Sequence, residues 1–228
     1  MAAKRIAARI PRPMAEQQVT SGIRRPLGLP LVYTTFVWLN GGWNARRTII
    51  AEYVKLRSGN RLLDIGCGPG AVLDFLPAVQ YVGVDLDADY IRVARARHGD
   101  RGTFIHGSVE SLADHALQGF DVVIAFGLLH HLNDESATQV LRTAGTALKP
   151  SGRLVTLDTC YVPGQSWLSR TLTAQDRGQH VRDVGGYGKL AQQGFGSVAT
   201  FCRSDLVRGP FHHCILVCER PLRREPPA

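Results

Sequence analysis

The run Leu62-Leu63-Asp64-Ile65-Gly66-Cys67-Gly68-Pro69-Gly70 constrains this chain more than any other stretch. An apolar segment suited to a buried strand breaks into alternating glycines and then opens a segment of helical character. Glycine permits positive φ and close approach of the backbone to a ligand, so the run predicts a strand, a tight turn and a helix start. A chain organised around such a turn is expected to continue in βαβ units.

The rest of the pattern agrees. Apolar positions at 49, 50, 53 and 54 give one face of a helix over 45–56, with Asn44 as its cap. Strands are then predicted over 61–65, 81–85, 103–106, 121–126 and 153–157. Helices are predicted over 70–76, 89–97, after Ser108, and over 134–148, with a Pro150-Ser151-Gly152 turn before the last of those strands. Continuous apolar strands between amphipathic helices imply a parallel sheet covered on both faces. Residues 159–182 read as a polar insertion too long for an ordinary connection. Asp183 is placed to cap a helix ending at Gly194, and strands over 197–203 and 211–218 follow without a helix between them, which implies an antiparallel hairpin edge.

With 228 residues and 44% hydrophobic content, one core is expected. The divisions are a basic N-terminal segment and lid over 1–43, a main domain over 44–220 and a tail over 221–228. Tyr33, Phe36 and Trp38 before Gly41-Gly42 suggest that lid, with glycine hinges. Lys and Arg number 27 against 19 Asp and Glu, a net charge of +8, but much of the excess lies near the two ends. No run interleaves Lys or Arg with aromatic residues, which disfavours nucleic acid as a partner. Five cysteines scattered through apolar segments resemble reduced thiols rather than a disulfide framework, and with no apolar leader or membrane span a cytoplasmic setting is expected.

The glycines alone do not choose a ligand, because Gly66-x-Gly68-x-x-Ala71 also satisfies a dinucleotide fingerprint. The charge at Asp64 helps choose. A diphosphate would be repelled by that carboxylate, whereas the ammonium and sulfonium of S-adenosylmethionine are favoured by it. Asp85 ends the second strand about 20 residues beyond the glycine turn, where a carboxylate can accept ribose hydroxyls. Asp87 is better placed to cap the following helix. Ser108 and Val109 follow the third strand and suggest the adenine edge, while Phe126 and Gly127 end the fourth, facing the methionine half of the ligand.

Together these residues resemble the class I methyltransferase family that uses S-adenosylmethionine, in the small bacterial small-molecule subgroup with His-His-Leu after the fourth strand, here His130-His131-Leu132. The resemblance covers about 44–158 and departs from many relatives at Ser108, where they carry Asp. It implies a Rossmann-like α/β fold with a seven-stranded, mostly parallel sheet, an antiparallel last strand and helices on both faces. It also implies S-adenosylmethionine as cofactor, held by Asp64, Gly66, Cys67, Gly68, Gly70, Asp85, Leu86, Ser108, Val109, Phe126, Gly127 and Tyr33.

Methyl transfer needs alignment of the reactants and removal of a proton from the acceptor. His131, and next His130, are the expected bases. Arg177 and Arg182 in the insertion can grip an anionic group, and Tyr187 and His212 can line the same pocket. His212, His213, Cys214 and Cys218 lie along one strand too extended for a compact tetrahedral metal site, so no metal is expected. The expectation is methylation of an oxygen or nitrogen of a small, anionic metabolite or of a sugar or natural-product intermediate. The alternatives are cyclisation of S-adenosylmethionine itself, and a non-catalytic binding module.

Overall fold

The computed structural model describes residues 42–108, 117–174 and 178–222. Tyr33, Phe36 and Trp38, the predicted helix after Ser108 with Val109, and Arg177 lie outside the described residues.

The first of the described helices, α1, spans Gly42–Ile49 and widens into a π-helical turn over Ile50–Val54 that ends at Lys55 in the left-handed region. Strand β1 is Arg61–Ile65, β2 Gln80–Asp85, β3 Gly102–His106, β4 Phe120–Phe126 and β5 Leu148–Tyr161. Helix α2 is Ala88–His98, and Asp87 caps it by accepting the N–H groups of Asp89 and Tyr90. Helix α3 is Asp134–Ala147, capped by Asn133. After β5 come α4 Trp167–Ala174, a two-residue strand β6 at Arg182–Asp183, α5 Val184–Ala191 capped by Asp183, then β7 Phe195–Arg203 and β8 His213–Pro221.

The sheet order is β3-β2-β1-β4-β5-β8-β7, with β6 beside the end of β5. Strands β1 to β5 pair in parallel; β8 is antiparallel to both β5 and β7, so it is the reversed strand and β7 closes the edge. The predicted terminal hairpin is therefore present, with its second strand on the inside.

Alternation along the strands divides the core. Leu63, Ile65, Val123 and Leu154 pack under α3 and α5, while Leu62, Val122, Ile124 and Val155 pack under α1 and α2. Leu62, Leu63 and Ile124 are fully buried, each contributing about 1.5–3 kcal/mol of transfer free energy.

Two expectations are corrected. The predicted helix over 70–76 is a short 3₁₀ segment, Ala71–Phe75. Pro77 forces the residue before it out of the helical region, and Leu76 is extended at φ −90° and ψ 144°. The Pro150 turn does not delay the last parallel strand: β5 begins at Leu148, and the ladder moves from Phe120↔Leu148 to Val122↔Arg153. The extra residues bulge within the strand. Within the expected insertion β5 continues to Tyr161, α4 spans Trp167–Ala174 and β6 begins at Arg182.

Candidate active site

The carboxyl ends of the parallel strands converge where β1 stops at Ile65. Gly66, Gly68 and Gly70 all have positive φ, at 75°, 53° and 74°. A Cβ built on Gly70 would lie 2.9 Å from His98 and 3.2 Å from Phe104, so the loop is packed tightly from behind. A Cβ on Gly68 would meet nothing within 4 Å, which leaves the front of the loop open to a ligand. Leu128 approaches Gly66 from the turn after β4, 3.4 Å from where a Cβ would sit. The loop is thus backed by protein and open at its middle glycine, as a cradle for an adenosyl ligand requires.

Two carboxylates border it. Asp85 Oδ2 accepts from the Gly68 N–H at 2.8 Å and Oδ1 from the Asp87 N–H at 2.9 Å. An ionised carboxylate has about four lone-pair sites, so both oxygens retain acceptor capacity for hydroxyls. Burial raises the Asp85 pKa, and the two backbone bonds oppose that rise. Asp64 is 3% exposed and accepts from the Tyr81 hydroxyl at 2.7 Å. Its pKa is pushed up to about 7, chiefly by burial; the Tyr81 bond and Arg46 oppose this, and the Asp85 charge adds to it. Cys67 is buried beside the same pair, and burial followed by the Asp64 and Asp85 charges raises its thiol pKa. It serves as packing rather than as a nucleophile.

Leu86 is 61% exposed beside Asp85 and offers an apolar face. The imidazole of His106 is 3.1 Å from the Leu86 carbonyl, and the Gly107 N–H donates to the Asp85 carbonyl, which brings the end of β3 and half-buried Ser108 alongside. On the other side of β1, Phe126 is half-buried and Gly127 is exposed with φ 69°, its N–H donating to Leu157 at 2.7 Å.

His130 is 6% exposed. Its Nδ1 lies 2.8 Å from Asp158 Oδ1, and the same oxygen accepts the His130 N–H at 3.1 Å. A carboxylate only accepts, so Nδ1 carries the proton and Nε2 is the basic nitrogen. The Cε1 edge of the ring lies 3.8 Å from a Cβ built on Gly127, while a side chain at Gly178 would overlap His130. The ring therefore fills a slot between two glycines, with the half-buried His131 ring 4.1 Å away, centre to centre. His131 is the more accessible of the two and His130 the more firmly held. Asp158, Tyr81, Leu128 and Gly178 escape the sequence reading. Asp158 is signalled by its place just beyond an apolar parallel strand, at the end where ligands bind.

Two expected acceptor residues are placed differently. All five N–H groups of Arg182 are taken: Nε and Nη2 by Asp134, Nη1 by the Leu129 and His180 carbonyls, Nη2 also by Leu132. Tyr187 is 1% exposed, its hydroxyl donating to the Thr159 carbonyl. Arg182 satisfies carbonyls of the turn after β4, which need donors, while Tyr187 is tied to β5. His212 does reach the strand ends, where its carbonyl accepts from Cys160 and its Nδ1 is buried without a partner among the described residues. Among the described residues no group of three or more His, Cys, Asp or Glu is arranged to hold a metal ion.

Comparison with known proteins agrees with this geometry. A methyltransferase domain family matches residues 62–152. The chain is 28% identical over 172 residues to phosphoethanolamine N-methyltransferase 1 of Triticum aestivum, covering 72% of this chain and 34% of that protein. It is 31% identical over 119 residues to the ubiquinone biosynthesis O-methyltransferase of Xanthomonas euvesicatoria, covering 49% of each. The chain thus spans between a third and a half of these relatives. Phosphoethanolamine N-methyltransferase 2 of Haemonchus contortus, solved with phosphomonomethylethanolamine and S-adenosylhomocysteine, superposes with a TM-score of 0.67 at 19% identity, over 87% of this chain and 59% of that one. With the strand order, the reversed β8 and the glycine loop after β1, residues 62–152 match a methyltransferase domain, and the chain shares the Rossmann-like fold of the S-adenosylmethionine-dependent methyltransferases.

Proposed function

We propose that this chain transfers the methyl group of S-adenosylmethionine to an oxygen or nitrogen of a small anionic acceptor. The observation that carries the reading is the convergence, at one end of the sheet, of an open glycine cradle bordered by Asp64 and Asp85 with a histidine hydrogen-bonded to Asp158. The names of the relatives, one acting on phosphoethanolamine nitrogen and one on a ubiquinone-precursor oxygen, support an acceptor of this size.

Gly66, Gly68 and Gly70 would hold the methionine end with Asp64, Asp85 the ribose, and Leu86 with Ser108 the adenine. Bound there, S-adenosylmethionine supplies a methyl group on a sulfonium, an already activated leaving group. The protein aligns the acceptor and receives its proton, for which Nε2 of His130 is set by the Asp158 bond and His131 is the accessible neighbour. Asp158 stabilises the imidazolium that forms.

Isothermal titration with S-adenosylmethionine and S-adenosylhomocysteine tests the first half. Asp85→Ala is expected to weaken both by about tenfold or more, since it removes charge-assisted bonds to hydroxyls. Release of S-adenosylhomocysteine only in the presence of phosphorylated or carboxylated acceptors tests the second. Absence of binding by the wild-type chain would end the proposal.

A further inference from the structure

Helix α4 is folded inside out. Its buried residues are Ser169 and Thr173, held inward by Gln165, whose amide donates to both hydroxyls at 2.7 and 3.2 Å, and by a bond from Ser169 to the Pro210 carbonyl. Trp167 is 78% exposed and Leu168 46%. A surface helix ordinarily buries its apolar stripe. Here polar bonds fix the opposite rotation, so the apolar side chains stay at the surface as part of the design.

The two chain segments joined by the Ser169–Pro210 bond carry formal charge of one sign. Residues 159–174 and 206–213 contain no Asp or Glu. Arg170 is exposed, its guanidinium 5.1 Å from the centre of the Tyr161 ring, and exposed Arg208 lies two residues from the carbonyl that anchors Ser169. An indole and a leucine flanked by guanidinium groups, with no carboxylate among them, fit a surface that is apolar just below a layer of anions.

We propose that α4 docks on an anionic phospholipid surface, with Trp167 and Leu168 entering the boundary between headgroups and acyl chains and Arg170 and Arg208 meeting lipid phosphates. No described helix is long and apolar enough to cross a membrane, so the contact is with one face of the bilayer. A second copy of the chain is the poorer partner. Two-fold pairing of this patch would set its arginines against their own copies, whereas lipid phosphates neutralise them. The net charge of +8 adds a general attraction. The inference does not depend on which reaction the site performs.

The test uses the full chain with Trp38→Phe and Trp43→Phe, which leaves Trp167 as the only indole. Vesicles of mixed phosphatidylcholine and phosphatidylglycerol are expected to shift its fluorescence to the blue and protect it from acrylamide, with pure phosphatidylcholine giving a much weaker response. In co-sedimentation, Trp167→Ala with Leu168→Ala should lower partitioning on the order of tenfold or more, with the melting temperature unchanged. Arg170→Ala should lower it about fivefold. Three results overturn the proposal. They are no fluorescence shift with anionic vesicles, undiminished sedimentation of the Trp167 and Leu168 double variant, and a blue shift that appears without lipid as protein concentration rises, which would make a second copy the occupant.

Discussion

The hydroxyl of Tyr81 donates to Asp64 Oδ2 at 2.7 Å inside the core, tying the second strand to the carboxylate that opens the glycine loop. The bond places an ionisable group with its pKa at about 7 directly behind the cradle, on the face packed by α1.

A pH dependence of ligand binding follows. Burial raises the Asp64 pKa from 3.8 to about 7, so in that window the folded protein holds a proton that the unfolded chain has released. Its contribution to stability therefore falls as pH rises through the window and is level above it. A cationic ligand tail favours the ionised form, so binding below about pH 7 should release a proton and strengthen as pH rises. Asp64→Asn should abolish the release and melt higher than wild type in mildly alkaline buffer. Titration calorimetry in buffers of different ionisation enthalpy checks this, and equal proton release by the variant would refute it.

Gly68 and Gly70 should separate binding from stability. Alanine at 70 must adopt φ near 74° and push against His98 and Phe104, so Gly70→Ala is expected to cost about 2–4 kcal/mol. Alanine at 68 meets no neighbour and carries mainly the left-handed backbone cost of about 1–2 kcal/mol, while its methyl enters the open front of the loop. Thermal melts should show the larger loss for Gly70→Ala. Titration with S-adenosylmethionine should show at least a tenfold loss of affinity for Gly68→Ala.

The contrast between these glycines and Asp158 shows what a sequence of this kind discloses. Gly66 to Gly70, Asp85 and the Asp87 cap belong to one local stretch in which turn chemistry and strand period coincide, so the turn, the strand end and the cap can be read directly. The same holds for Leu62 and Leu63, whose burial on opposite faces follows from a continuous apolar run. Asp158 is legible only by its place just past the apolar run; its pairing with His130, 28 residues earlier, is not. The scaffold bonds of Arg182 are not legible in the sequence because two of the carbonyls it serves, those of Leu129 and Leu132, lie 53 and 50 residues earlier, and its polar surroundings suggest solvent or ligand equally well. Pairings at such separation are set by tertiary packing rather than by local composition.

Asp158→Asn should leave S-adenosylmethionine affinity within about twofold and lower kcat about a hundredfold or more, because the amide keeps an acceptor oxygen for Nδ1 but removes the charge opposite the imidazolium. Asp158→Ala should also lose about 1–3 kcal/mol of stability by leaving the His130 N–H and Nδ1 without their acceptor. An unchanged kcat in Asp158→Asn would show that the pair is structural.

Arg182 offers the sharpest separation of scaffold from acceptor grip. Its guanidinium spans the turn that carries both histidines, donating to the carbonyls of Leu129 on one side and Leu132 on the other, and its side chain is 12% exposed. The Asp134 partner is 80% exposed, so that ion pair contributes little; the carbonyl bonds carry the stabilisation. Lysine has three donors and no planar fork, and cannot reach all of these acceptors. Arg182→Lys should therefore lower stability by about 2–3 kcal/mol and reduce kcat as the turn loosens, with the KM for the acceptor unchanged. An arginine that gripped an anionic acceptor would give the opposite result, a raised KM in a protein that melts like wild type. Melting curves alongside steady-state kinetics decide between the two.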